Sequence, residues 1–228
     1  MAITLNKLTS DILYLLRANK VTQSETLSTK QLEYHIHNNR ALWINRKISK
    51  NEDIGDDYFQ YINCIELEPV DKALCPCTIT DGCLVLRTTQ KLPDYATEDY
   101  LSLMTIDGSP IQIMPPDRAI FNQYRKYVKN TKVAYIKENW LYIINEELLK
   151  YITVRGIWVD PTDLQRFISG CNNVACYTKN DGYPIAAEDI PMISGMVLKE
   201  FTITLNLPSD QQNDSNQQLQ QNIIGGVK

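Results

Sequence analysis

Residues 28–50 read STKQLEYHIHNNRALWINRKISK and contain a long helical pattern without Gly or Pro. Ser28 is a candidate N-cap, and Gln31 stands three residues later, which is the arrangement of a capping box. The helix is therefore predicted to begin at Thr29 and to end near Lys50, with basic residues in its last turn. Its apolar face consists of Leu32, Ile36, Ala41, Trp43, Ile44 and Ile48. A helix with one apolar face must bury that face against another element.

The same spacing predicts two further helices. Residues 4–19 form the first, and the short polar connector at 21–27 predicts that it pairs with the second helix as a helical hairpin. The last helix follows acidic residues and Pro191, and it ends before Pro208. The apolar stripes are Leu5, Leu8, Ile12 and Leu15 in the first helix, and Ile193, Val197, Phe201 and Leu205 in the last.

The middle of the chain has a different pattern. Residues 54–160 consist of short aromatic and β-branched runs separated by turns, so this region is predicted to be mostly antiparallel β. Asp107-Gly108 and Lys137-Glu138-Asn139 each lie between two apolar runs, which is typical of a β-hairpin. Asp160 followed by Pro161 predicts a cap and a short helix that ends at Gly170.

The whole pattern predicts an α+β fold. An N-terminal helical hairpin packs with a long C-terminal helix, and a mostly antiparallel β domain is inserted between them. The predicted divisions are a helical body of residues 1–50 with 161–207, a β domain of 51–160, and a polar Gln/Asn-rich tail of 208–228. The tail is too polar to form its own core, so it is either a mobile end or an arm that orders on a partner.

Composition limits the classes of function. The 228 residues are 43% hydrophobic and 22% charged, with a net charge of -4. An acidic balance without a large basic block argues against a surface that coats nucleic acid, but it is compatible with DNA passing unbound. No uncharged apolar run reaches membrane-spanning length, and the N-terminus lacks the pattern of a signal peptide, so no membrane contact is predicted. The cysteines are predicted to be reduced thiols in a cytosol.

Cysteine spacing raises a zinc hypothesis. Cys64, Cys75, Cys77 and Cys83 offer four thiolates. However, the Cys-Pro-Cys spacing is shorter than in the common zinc knuckle, and Cys64 falls within a strand pattern. Cys171 and Cys176 lie near each other without a pair of histidines. We therefore favour thiols that act as small apolar residues, with a metal-stabilised interaction module as the alternative.

The spacing of residues gives little support to a histidine metal site, a catalytic set or a nucleic-acid site. His35 and His37 point to different sides of one helix and cannot share a metal. No Ser-His-Asp set can be nominated, and a carboxylate pair for glycoside hydrolysis cannot be chosen from 27 acidic residues. Residues 124–132 combine cations with tyrosines, which suits either nucleic-acid contact or an edge strand protected by lysines. No catalytic residue, metal site or cofactor is predicted.

Three stretches carry a resemblance to a known family. They are the hairpin Leu5–Lys50 with Thr29-Lys30-Gln31-Leu32 and Asn39-Arg40-Ala41; Ile152-Thr153-Val154-Arg155-Gly156-Ile157-Trp158-Val159-Asp160-Pro161; and Tyr183-Pro184-Ile185 before the last helix. In these stretches the chain resembles the head–tail connector (adaptor or ring) proteins of tailed bacteriophages. The likeness is closest to the portal-proximal ring protein of crAss-like podophages and more distant to the tail-tubular adaptor of T7-like phages.

This resemblance implies a structural virion protein that is not an enzyme and that is assembled in the host cytoplasm. Copies are expected to form a closed ring of about twelve, joined by heterologous contacts. The ring would connect the portal protein to further tail ring and nozzle proteins, and DNA would pass through its lumen without specific binding. The alternatives are a tail-associated hydrolase of cell-wall polymer and a metal-stabilised module that uses Cys75, Cys77 and Cys83.

The expected contacts between subunits involve six residues. His35, Asn38, Asn39 and Arg40 are predicted to be polar interface positions of the second helix rather than catalytic residues. Ile223 and Ile224 are the predicted anchor of the C-terminal arm.

Overall fold

A computed structural model describes residues 3–19, 28–70, 85–121, 131–144 and 148–206. The helices are α1 (Leu5–Asn19), α2 (Thr29–Ser49), α3 (Pro116–Phe121) and α4 (Ile190–Asn206). The strands are β1 (Gln60–Pro69), β2 (Val85–Thr88), β3 (Ser102–Thr105), β4 (Pro110–Ile113), β5 (Val133–Lys137), β6 (Trp140–Ile144) and β7 (Tyr151–Gly156). Short 3-10 turns cover Asp56–Tyr58, Glu98–Tyr100, Pro161–Arg166 and Ala187–Asp189.

The strands form a closed barrel in the order β1-β2-β6-β5-β4-β3-β7. Neighbouring strands are antiparallel except β4 and β5, which run parallel, with Gln112 opposite Val133. Alternate residues point into the barrel, as the two-residue period of a strand requires. In β7, for example, Ile152 and Val154 are fully buried. The barrel core also includes Ile62, Leu103, Leu141, Ile143, Leu164 and Phe167.

Two of the predicted hairpins are confirmed. Gly108 turns between β3 and β4 with a φ of 85°, a value that glycine adopts readily. Glu138 and Asn139 connect β5 and β6 with φ values of 54° and 64°. Positive φ at both central residues is typical of the tight turn whose twist suits a hairpin. A bulge in β1 lies between Ile62 and Ile65, and Cys64 there has a φ of 53°.

The helices contribute to a second apolar cluster beside the barrel. Its buried members are Leu5, Leu8 and Ile12 of α1, Leu32, Ile36 and Ile44 of α2, and Ile193, Val197 and Phe201 of α4, together with Ile54, Tyr58, Ile157, Tyr183, Ile185 and Ala186. The predicted α+β class is therefore confirmed, with the sheet closed into a barrel. The helical hairpin and the three-part division of the chain stay predictions, because residues 20–27 and 207–228 lie outside the described residues.

Two local details differ from the sequence prediction. Ser28 occupies the N-cap position of α2 but makes no side-chain capping bond, so the predicted capping box does not form. Leu15 is predicted on the buried stripe of α1, but its side chain is 44% exposed, whereas Leu5, Leu8 and Ile12 are buried. By contrast, Asp160 does cap the turn that begins at Pro161, by accepting from the Thr162 amide.

The prediction of reduced thiols is wrong for one pair of cysteines. Cys64 and Cys171 form a disulfide that joins β1 to the loop after the Pro161–Arg166 turn. These residues are 107 positions apart, so spacing alone gives no sign of the pair. Cys176 is a free, half-buried thiol. Cys75, Cys77 and Cys83 lie outside the described residues.

Candidate functional site

Arg40 lies at the point where α2 meets the barrel. Its side chain is fully buried and donates to three backbone carbonyl oxygens. Nε lies 2.7 Å from the Pro184 oxygen, one terminal nitrogen lies 2.8 Å from the Trp158 oxygen, and the other lies 3.3 Å from the Tyr58 oxygen. We call Arg40, Tyr58, Trp158, Tyr183 and Pro184 the Arg40 junction. It connects one helix to three segments that are distant in sequence.

The charge of Arg40 is balanced without a carboxylate among these hydrogen-bond partners. Its guanidinium carbon lies 5.8 Å from the centre of the Tyr183 ring, which adds a cation–π contact to the three carbonyl dipoles. Burial lowers the pKa of Arg40, and the phenols of Tyr183 and Tyr177 oppose that shift. Arginine nonetheless stays charged in proteins, so the junction holds a buried cation.

Tyr183 and His37 extend the junction towards Asp160. Nδ1 of His37 lies 2.9 Å from the Tyr183 hydroxyl, and its Nε2 lies 3.7 Å from an Asp160 oxygen. Burial lowers the pKa of His37 more than the Asp160 carboxylate raises it, so the ring is held neutral at neutral pH. Burial also raises the pKa of Tyr183, although the nearby Arg40 cation lowers it. The hydroxyl therefore stays protonated.

A second polar cluster joins the other end of α2 to α4. The ammonium of Lys47 lies 2.5 Å from Asp189 and 3.3 Å from the Tyr58 hydroxyl, and that hydroxyl also donates to Asp189. Both charged side chains are about nine-tenths buried. Because a lone buried charge is costly, the pair is stable only while both partners are in place. The cluster fixes the start of α4 against the turn that precedes β1.

The polar groups of Arg40 and His37 have partners inside the fold, whereas the buried indole nitrogen of Trp158 has no hydrogen-bond partner among the described residues. Arg40 is surrounded by backbone and phenol groups, and His37 lies between a phenol and the Asp160 carboxylate. Such an arrangement holds segments of the chain in position. Among the described residues, no group of three or more His, Cys, Asp or Glu side chains could hold a metal ion.

The three stretches that carried the family resemblance meet at this point. Arg40 comes from the first stretch, Trp158 and Asp160 from the second, and Tyr183 and Pro184 from the third. A model of the family described as phage tail ring protein 2 matches residues 7–222.

The chain belongs to this family. The resemblance to crAss-like ring proteins is thereby confirmed, and the tail ring protein is a structural component of the phage tail. A comparison with curated proteins gives no match. Among the described residues, no helix combines the length and the apolar character that crossing a membrane requires. The more distant likeness to the T7-like adaptor stays a prediction.

The predicted interface residues of the tail ring protein fall into three groups. Arg40 and Asn39 are buried inside the chain, and the Asn39 amide donates to the His35 carbonyl and to Glu200 of α4. His35 is partly exposed and pairs with Glu200 at 2.9 Å, while Asn38 is exposed. Ile223 and Ile224 lie outside the described residues. Their roles in subunit contacts stay predictions.

Sequence reasoning did not predict Arg40 as a core residue, although a signal was present. Arg40 stands four residues after Ile36 and four before Ile44, both buried, and therefore lies on the buried stripe of α2. An arginine in the middle of an apolar stripe must find polar partners inside the fold. Most of the basic segment 124–132, the candidate for nucleic-acid contact, lies outside the described residues.

Two clefts open near the helices. The larger, of about 320 Å³, is lined by Asp56, Asp57, Phe59 and the Tyr183–Ile185 segment, among others. Two carboxylates in a cleft are the minimum that the hydrolase hypothesis needs. The general acid of such an enzyme sits in apolar surroundings, whereas the Asp56 side chain is 96% exposed and pairs with Arg155 at 2.5 Å. The smaller cleft, of about 170 Å³, lies between α2 and the barrel.

Proposed function

We propose that copies of this tail ring protein form a closed ring of about twelve that connects the portal to the tail. The ring encloses a channel through which DNA passes. The observation that supports this function is the family match over residues 7–222, since a tail ring is an assembly of copies around the axis of the tail.

The charge of the chain supports a channel that does not grip DNA. The net charge is -4, and proteins that hold nucleic acid tightly do so through many Lys and Arg contacts to phosphate. A channel wall that is negatively charged, as the DNA phosphates are, allows DNA to pass without tight binding. His35 and Asn38 on α2 and the arm anchored by Ile223 and Ile224 are the proposed contacts to neighbouring copies or to the portal.

The Arg40 junction supports a scaffold rather than a catalyst. The buried Arg40 side chain joins α2 to the turn before β1, to the segment after β7 and to the segment before α4, and so restrains these elements relative to one another. In a closed ring every subunit meets its neighbour at the same angle, which requires that the elements of each subunit keep a fixed relative position. Assembly takes place in the host cytoplasm, and the function requires no enzymatic activity.

Mixing the purified chain with portal protein tests this function. Mass photometry and negative-stain imaging should show rings of one size bound to the portal, with a ring mass about twelve times the 26.2 kDa of one chain. A chain that associates with neither itself nor portal or tail proteins would contradict the proposal. Release of soluble fragments from purified cell wall, abolished by Asp57→Asn, would instead support the hydrolase.

A further inference from the structure

The loop 168–175 exposes two large aliphatic side chains on a rigid support. Ile168 is 62% exposed and Val174 is 58% exposed. The two ends of the loop pair as a β-bridge between Ile168 and Ala175, and the Ser169 amide donates to the Val174 carbonyl at 2.9 Å. Aliphatic side chains on such a support lose little entropy when a partner covers them.

Two further links fix this loop to the barrel. Cys171 forms the disulfide with Cys64 of β1, and the Gly170 amide donates to the Cys64 carbonyl at 3.0 Å. A methyl group added at Gly170 would lie only 2.6 Å from the Tyr151 ring, so the loop lies directly against the start of β7. Exposed apolar side chains that are held this firmly indicate a preorganised contact rather than a loose surface turn.

The loop also lacks charge. No Asp, Glu, Lys or Arg occurs from Phe167 to Thr178, although such residues make up 22% of the chain. Charged residues are depleted at the centres of protein interfaces because their desolvation is costly. The exposed part of the loop, which also includes Asn172 and Asn173, therefore carries no charge that a partner would have to desolvate.

The smaller cleft has matching properties. It lies between α2 and the barrel, and its lining includes Ala41, Ile44, Tyr95, Ala96, Ile157 and Val159. None of its lining residues is charged. Its volume is about 170 Å³, and an apolar cavity of about 150 Å³ accepts a molecule of benzene's size. An isoleucine or valine side chain therefore fits this space.

Loop and cleft lie at opposite ends of one strand. The loop packs on Tyr151, where β7 begins, whereas Ile157 and Val159 of the cleft follow Gly156, where β7 ends. A six-residue strand spans roughly 20 Å, so the loop of one chain does not reach its own cleft. Two complementary patches at separate places on one chain are what a heterologous, ring-closing contact requires.

Because Ile168 pairs with Ala175, Val174 lies on the opposite face of the loop from Ile168. We propose that Ile168 of one copy inserts into the cleft between α2 and the barrel of the next copy in the ring. The proposal rests on the proposed ring function and identifies the two surfaces that close the ring. Ile157 of the cleft also belongs to the helical cluster, so the contact joins the loop of one copy directly to the helices of its neighbour.

Three variants test the contact. Ile168→Ser removes the inserted side chain and leaves the cleft intact, whereas Ala41→Phe fills the cleft and leaves the loop intact. Asn45→Lys, which places a charge at the exposed edge of the cleft, replaces Ala41→Phe if that variant does not fold. Ile106→Ser is the matched control, because Ile106 is 59% exposed and lies outside both patches.

Ring formation is measured by mass photometry, alone and with portal protein. Each loop or cleft variant should weaken self-association at least about tenfold, and Ile106→Ser should assemble as the wild type does. An equal mixture of the loop variant and the cleft variant should form dimers of twice 26.2 kDa, since that mixture contains one intact loop for each intact cleft. Neither variant should form such dimers by itself.

Two results would overturn the contact while the ring function stands. One is normal ring assembly by the loop and cleft variants. The other is normal self-assembly with lost binding to the portal or to another tail component, which would show that the loop has a different partner. A wild-type chain that forms no ring under any of these conditions would reject the ring function, and this contact with it.

Discussion

Arg40 connects four segments of the chain through a single side chain. Its guanidinium replaces water with three carbonyl oxygens and one aromatic ring, so its burial is compensated only while all of these groups are in place. A lysine at this position would present its three donors from one nitrogen, whereas the guanidinium meets the three oxygens with three separate nitrogens. The position therefore requires arginine itself rather than any cation.

Arg40→Met should lower the free energy of unfolding by about 3–5 kcal/mol, because it leaves three buried carbonyl oxygens without their donor. Urea unfolding monitored by fluorescence measures the loss. Arg46→Met is the control, since Arg46 lies on the same helix with its side chain exposed. Equal unfolding midpoints for the two variants would show that the junction does not stabilise the fold.

His37 should make stability depend on pH. Burial holds the pKa of His37 below the ordinary value of 6.5. The imidazole therefore takes up a proton at a higher pH in the unfolded chain than in the folded chain. As pH falls below about 6.5, the free energy of unfolding should decrease by at most about 1.4 kcal/mol per pH unit, until the folded-state pKa is passed. The charges around it are Asp160, Arg40, Glu33 and Lys179.

The pH effect is checked by denaturant unfolding at pH 7.5, 6.5 and 5.5. His37→Gln should be less stable at pH 7.5, because it loses the hydrogen bond to Tyr183, but its stability should change less as pH falls. His35→Gln serves as the control and should retain the pH dependence that His37 causes. An unchanged slope in His37→Gln would assign the dependence to other groups.

At the scale of elements, two turns and one helix cap followed from local signals in the sequence, although the capping box predicted at Ser28 does not form. The Asp107-Gly108 and Glu138-Asn139 turns and the Asp160 cap each follow from a few adjacent residues, and the structure contains all three. Closure of the barrel depends on pairings such as β1 with β7 and the parallel pair β4 and β5. Those pairings join residues that are distant in sequence, so no local pattern predicts them. The same is true of the disulfide.

The disulfide should contribute strongly to stability. It closes a span of 107 residues, and chain-entropy arguments assign about 2–5 kcal/mol to such a cross-link. Cys64→Ser with Cys171→Ser should lower the free energy of unfolding by that amount, measured in urea without reductant. Cys176→Ser, which removes the half-buried free thiol, should change stability less. Addition of dithiothreitol should lower the wild type to the level of the double variant and leave that variant unchanged.

Two glycines, one at the end of the barrel and one in α4, offer a test of local packing. A methyl group added at Gly156 would lie 2.5 Å from Leu101 and 3.2 Å from the Trp158 ring. Gly156→Ala should therefore destabilise the fold by about 1–3 kcal/mol. Gly195 lies within α4 with nothing within 4 Å, so Gly195→Ala should stabilise it by about 0.5–1 kcal/mol. Thermal unfolding of the two variants should shift in opposite directions.

At the scale of the molecule, the sequence allowed the family to be recognised. It did not show why the motifs that carry the resemblance contain these residues. Asn39-Arg40-Ala41, Trp158-Val159-Asp160 and Tyr183-Pro184 are far apart in sequence, and only the folded chain shows that they surround one cation. The contact proposed between the loop 168–175 and the cleft could not be predicted, because it depends on which side chains remain exposed after the apolar clusters have formed.

Ring assembly should resist salt. The proposed contact between the loop 168–175 and the cleft contains no charged residue. Salt therefore has no ion pair to screen within this contact. Raising sodium chloride from about 0.1 M to 1 M should leave the mass distribution of rings unchanged, as measured by light scattering in solution. Dissociation of the rings at high salt would indicate that ion pairs, rather than the aliphatic loop, hold neighbouring copies together.

The closed barrel also limits how copies can meet. A sheet with an open edge presents unpaired amides and carbonyls, onto which the strand of another molecule can add without limit. In the part of the chain that the structure describes, each of the seven strands has a neighbour on both sides. The described strands therefore offer no free edge to which a strand of another copy could add. In the proposed ring, growth would then depend on side-chain contacts, whose geometry can stop it at a fixed number of copies.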